Sequence, residues 1–318
     1  EFYEKSSTQK EFISKVEAKM SEIQPNPDRS LLDRIFFSPA ERRLRAGWRL
    51  LIQTILLFVF GTIIGIAGGL LGGFLRGPLS LIWGQIIEFL IITSSVYVAR
   101  RWLDKRSFES LGLKLDGQTL PDILTGIGIT FLQMGFIYIL MAGLGWLTFQ
   151  GFAWQFDPIS MVITSTIGFF IAFIFVGWNE ELLSRGYHLQ TIASGLNLFW
   201  GVVISSAIFG VLHIFNPGAT WVSTAGIFFA GVYLAYAYLR TRQLWLSIGL
   251  HIGWNFFEGV VFGFPVSGLD IYHLTRISVH GPELWTGGVF GPEAGLIVLP
   301  SLVLGALLIY LYTRKRVK

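Results

Sequence analysis

Residues 159–190 read ISMVITSTIGFFIAFIFVGWNEELLSRGYHLQ, and this stretch decides between a soluble and a membrane fold. No residue from Ile159 to Asn179 is charged. At 1.5 Å per residue such a run is long enough, as a helix, to cross about 30 Å of hydrocarbon. Glu180, Glu181 and Arg185 then follow within the same run. A charge inside a bilayer costs about 2.5–3.5 kcal/mol on insertion scales, so such groups persist where they are paired or used.

Outward from this stretch the same apolar pattern recurs. Spans are expected at about 48–72, 79–99, 121–147, 159–190, 198–214, 221–239, 244–262 and 293–312. The expected fold is all-α, a polytopic transmembrane helical bundle of about eight spans. Hydrophobic residues make up 53% of the chain and charged residues 14%, a balance outside the range of a soluble domain. With no cysteine, a disulfide framework, a thiolate nucleophile and a cysteine metal site are excluded. The net charge of +4 resides in tails and loops, where it serves topology, and no nucleic-acid partner is expected. The chain begins at Glu1, which leaves room for an upstream initiator or targeting segment.

The basic residues cluster at alternate ends of the spans. Arg42, Arg43, Arg45 and Arg49 accompany the start of the first, and Arg100, Arg101, Lys105 and Arg106 follow the second. Arg240 and Arg242 follow the sixth, and Arg314, Lys315 and Arg316 follow the eighth. Connections 148–158 and 216–220 contain neither lysine nor arginine. The positive-inside rule therefore places both termini in the cytoplasm. Residues 1–47 read as a cytoplasmic or interfacial tail, with Phe12, Val16, Met20 and Ile23 at helical spacing before a break at Pro25 and Pro27. Residues 48–318 read as the transmembrane domain. Within its first span Gly61, Gly65, Gly69 and Gly73 recur every fourth residue, a smooth ridge expected to pack against another helix.

Glu181 and Arg185 stand at i and i+4 and are expected to pair. Glu180, rotated about 100° on the same helix, is left as the better base. His213 ends the fifth span, and His251 and Asn255 share a face of the seventh. The expected turn at 194–197 puts Glu180 about 15 residues before it and His213 about 17 after it, so both lie about 22–25 Å from it. An antiparallel helix pair would bring them face to face. A base, two imidazoles and an amide form a hydrolytic set, although the carboxylates and arginine can also serve as an ion network alone. Glu88 and Glu258 are expected to bond neighbouring helices rather than to line a cavity, and His188 to be interfacial. The loop 264–293, with His273 and His280, reads as re-entrant packing before it reads as a gate.

Three segments, Glu180-Glu181-x-x-x-Arg185, Phe209-x-x-x-His213 and His251-x-x-x-Asn255, resemble the CAAX-protease and bacteriocin-processing family of intramembrane proteases, related to type II CAAX prenyl endopeptidases. The resemblance covers about 157–262, with 106–113 similar to the short loop that often precedes that core. Ser184 departs from the aromatic residue that many members carry there. The resemblance implies an endopeptidase that cuts a membrane-associated peptide or protein substrate in the lipid bilayer, in some members after a prenylated cysteine. Glu180 and His213 would activate water, His251 and Asn255 would stabilise the oxyanion or position that water, and Glu181, Arg185 and Phe209 would support them. This reading requires no cofactor. A zinc version, with Glu180, His213 and His251 as ligands, stays open, although no His-Glu-x-x-His motif is present. The rival class is a non-catalytic scaffold or a transporter using the same polar cluster, for which internal symmetry is missing from the sequence.

Overall fold

The computed structural model describes residues 30–39, 41 and 43–316. Arg42 and the helical spacing read in the tail lie outside the described residues. Helices run in chain order as α1 (Leu31–Phe36), α2 (Ala46–Gly72), α3 (Pro78–Val98) and α4 (Thr119–Gly143), then α5 (Ile159–Glu181), α6 (Gln190–Gly195), α7 (Leu198–Leu212) and α8 (Trp221–Thr241). They end with α9 (Trp245–Asn255), α10 (Glu283–Thr286) and α11 (Val298–Thr313). Among the described residues six helices are long and apolar enough to cross a membrane, and Val298–Thr313 adds a shorter apolar one. With α9, which carries the seventh expected span, they account for the eight read from the sequence. The protein is an integral, multi-pass membrane protein.

Start and stop signals match the chain's turns. The Asn197 side chain accepts the Trp200 N–H at 3.0 Å and caps α7, and the Thr220 hydroxyl accepts the Ser223 N–H at 3.1 Å and caps α8. Three helices widen into π turns: α3 through Ala99–Leu103, α5 through Leu182–Leu189 and α9 through Phe256–Val261. One departure from the all-α expectation is an antiparallel pair, β1 (Leu147–Phe152) with β2 (Thr275–Val279). It lies between spans, where alternating residues such as Phe149 and Ile277 can pair across strands.

Helix α9 is the axis of the bundle. All eleven of its residues are buried, and it packs on α4, α5 and α8. Its approach to α4 is backbone to backbone: a Cβ added at Gly249 would overlap Ile123, one at Gly126 would overlap Gly249 and Leu250, and one at Gly253 would overlap Ile127 and Thr130. Without a hydrophobic drive between lipid-solvated helices, such small-residue contacts supply the packing.

Helix α2 corrects the glycine-ridge expectation. Gly61, Gly65 and Gly69 would meet nothing within 4 Å if given a Cβ, and Gly73 would meet only Gly69 of its own helix. The packing positions are Gly68 and Gly72, which sit against Ile87 and Trp83 of α3; the Trp83 indole donates to the Gly68 carbonyl at 2.9 Å. The outer face of α2 carries exposed Phe58, Ile63, Ile66 and Leu70, as a lipid-facing helix does. Where α2 begins, buried Asp104 gathers the guanidinium groups of Arg43, Arg49 and Arg100. Burial, and then the Arg49 charge, lower the Arg43 pKa below its ordinary value.

Candidate active site

The carboxylate pair ends α5, and the two residues look different ways as their 100° offset requires. Glu181 is fully buried. Its Oε1 accepts the Arg185 guanidinium at 2.7 Å and the His251 Nδ1–H at 2.8 Å. Arg185 donates onward to the Gly231 carbonyl at 3.1 Å and lies 4.3 Å above the Phe209 ring. Phe209 in turn packs edge-on against both His213 and His251. Glu181, Arg185 and Phe209 thus form the bed on which the imidazoles rest.

Glu180 faces the other way, into a cavity. Its Oε2 lies 3.8 Å from His213 Nε2 and 3.6 Å from His251 Nε2, too far for direct hydrogen bonds, and has no hydrogen-bond partner. The tautomers follow from the partners. His213 Nδ1 stands 2.8 Å from the Phe209 carbonyl, and His251 Nδ1 stands on the Glu181 carboxylate. Since both partners only accept, each Nδ1 carries hydrogen and each Nε2 is turned toward Glu180. Asn255, one turn beyond His251 and 7% exposed, lines the same cavity. Glu180 and His213, expected to face each other, do so, His251 joins them within 3.6 Å of Glu180, and Asn255 shares their cavity.

The cavity has a volume of about 610 Å³, within the range of ligand pockets. It opens where three hydrophobic clusters adjoin. Ile92 and Leu183 come from one, Leu250 and Trp254 from a second, and Phe209 and Ile227 from the third. Glu88 of α3 lines it too, contrary to the expectation that this residue serves a neighbouring helix. Glu258 is fully buried outside the lining, with both carboxyl oxygens unpartnered. His188 is a correction. It is 9% exposed and belongs to the stretch Leu182–Leu189, every residue of which is enclosed by neighbouring segments. In the loop 264–293, which is largely half-buried and contains β2, His273 bonds to the Gly259 carbonyl and to Asp270.

Asn216, Ser267 and Glu293 also reach the cavity and were missed in the sequence, where nothing marks them apart from loop residues. Buried Asn179, with both amide atoms unpartnered, was passed over in favour of its charged neighbours. As zinc ligands, Glu180, His213 and His251 offer suitable donor atoms. Yet among the described residues no group of three or more His, Asp or Glu side chains is arranged to hold a metal ion, so no step below passes through one.

Residues 162–257 match the family described as "Type II CAAX prenyl endopeptidase Rce1-like", a segment that contains all seven motif residues from Glu180 to Asn255. The chain is also 25% identical over 136 residues to "Putative membrane peptidase YdiL" of Bacillus subtilis (strain 168), which covers 43% of this chain and 48% of that relative. The match thus spans about half the length of the curated relative. No solved structure matches the chain.

Proposed function

Because residues 162–257 are Rce1-like, we propose that the protein is an intramembrane endopeptidase that hydrolyses peptide bonds of membrane-associated substrates, prenylated ones among them, with water activated by Glu180 and His213. The observation that carries this reading is the convergence of Glu180 Oε2 with two imidazole Nε2 atoms at 3.6 and 3.8 Å in a cavity that also holds Asn255.

Gaps of that size suit one bridging water. Such a water donates to Glu180 Oε2 and to His213 Nε2, and attack on the scissile carbonyl sends its proton to these groups. The two histidines differ in what stands behind them. His213 rests on a carbonyl, which suits a neutral ring that accepts a proton. His251 rests on the Glu181 carboxylate, which supports an imidazolium whose Nε2–H donates to the developing oxyanion. The Asn255 amide supplies a second donor for that charge. Return of the captured proton to the leaving amine completes the cleavage. Glu181, paired with Arg185, orients His251. The substrate enters as extended chain, because a helical backbone buries the bond to be cut.

The test is cleavage of prenylated and unprenylated membrane-associated peptides by purified protein in liposomes, with Glu180→Ala and His213→Ala alongside and folding checked for each. Cleavage by the wild type that both variants lose, unaffected by a zinc chelator, is the expected result. Loss on chelation with recovery on zinc would replace the proposed water activation by a metal-based one. No cleavage of any peptide would leave a scaffold or transporter.

A further inference from the structure

Asn216, Trp254, Ser267 and Glu293 line the cavity beside the proposed catalytic groups and are joined by one chain of hydrogen bonds across four segments. The Glu293 carboxylate, 5% exposed, accepts three times. Its Oε1 takes the Trp254 indole N–H at 3.0 Å, and its Oε2 takes the Ser267 backbone N–H at 2.8 Å and the Ser267 hydroxyl at 2.6 Å. The Ser267 carbonyl in turn accepts the Asn216 side-chain amide at 3.0 Å. Trp254 adjoins Asn255, and Asn216 follows His213 by three residues. The chain of bonds therefore runs from the helix that bears Asn255 to the turn that bears His213, with Glu293 at its hub.

Two features mark this hub as built rather than incidental. Ser267 has φ +47°, a left-handed conformation that a residue with a Cβ holds where its surroundings impose it. Here the carboxylate grips both its N–H and its hydroxyl. The hub's own backbone is wedged as well: a Cβ on Gly226 of α8 would overlap the Glu293 carbonyl, and the Gly268 N–H donates to the Phe290 carbonyl at 2.8 Å. His213 needs such a hold. Helix α7 stops at Leu212, and a single 3-10 turn, His213–Phe215, carries the imidazole before the chain leaves at Asn216 and Pro217.

We propose that Glu293 is a positioning residue for the hydrolysis described above, on which reading this inference rests. It sets the spacing between the His213 turn and the Asn255 helix without touching the reacting atoms. Glu293→Gln is the informative variant, since it keeps the shape but turns an amide N–H₂ toward a donor. Glu293→Asp keeps the acceptors on a shorter stem. With wild type as reference in liposomes, Glu293→Gln is expected to lower kcat about 10–100-fold while KM moves less than about 3-fold, as misplacement of groups by a fraction of an ångström does. Glu293→Asp should recover part of that loss.

Hydrogen–deuterium exchange reads the same clamp without turnover. Segments 213–217 and 264–270 should both exchange faster in Glu293→Gln, and less so in Glu293→Asp. An unchanged kcat, an activity loss matched by loss of folded protein, or faster exchange confined to 290–295 would overturn the clamp. A wild type that cleaves nothing overturns the proposed function instead, and the exchange measurement then decides the clamp alone.

Discussion

Glu180 and Glu181 share a residue type and differ in everything their positions give them. Glu181 is enclosed, holding Arg185 and His251; Glu180 reaches the cavity with Oε2 unpartnered. Their roles are separable by experiment. Glu181→Gln leaves Arg185 buried, 1% exposed, without its counter-charge, a change that costs about 3–5 kcal/mol in buried pairs. The same variant removes the charge behind His251 and is expected to lower kcat by about 10²-fold, as loss of one oxyanion donor does. Thermal unfolding in detergent and turnover in liposomes check the two effects. Glu180→Gln, by contrast, should abolish turnover and leave the unfolding temperature near that of the wild type.

Helix packing turns on which glycines meet a neighbour. Gly249→Ala drives a methyl group into α4 at Ile123, an overpacking expected to cost about 1–3 kcal/mol and to displace His251 two residues on, so activity falls with stability. Gly69→Ala on α2 meets nothing and should be neutral, or stabilising by up to about 1 kcal/mol from helix propensity. Unfolding midpoints of the two variants in one detergent make the comparison. The sequence disclosed the spans, because twenty apolar residues need no partner to be recognised. It disclosed the pairing of Glu181 with Arg185 and the meeting of Glu180 with His213, because i, i+4 spacing and distance from a turn are local quantities. It did not disclose Gly68 and Gly72 over Gly61 and Gly65, since the choice depends on where α3 lies. Nor did it disclose Glu293, whose bonds to Ser267 and Trp254 cross 26 and 39 residues.

The whole molecule is arranged around a buried α9, with lipid-facing helices such as α2 outside it. The basic clusters at the ends of the spans expect both termini in the cytoplasm. The chain has no cysteine, so a single introduced thiol can be read without background. A cysteine at Arg106 or Arg314 should resist a membrane-impermeant maleimide in intact cells, and one at Trp154 should react; the reverse pattern would invert the topology. The π turns carry one more implication. An α-helix advances each side chain by 100°, and a π turn holds one extra residue, so the stretch Leu182–Leu189 sets the rotational phase between the carboxylates above it and the Arg49-bonded Ser194 below it. Removing one residue there would leave the span long enough for the membrane. It would let the π turn relax to an α turn and so keep Glu180 and Ser194 facing their partners, whereas adding one residue would swing one half of the helix by about 100° against the other. In this span, length is dispensable and phase is not.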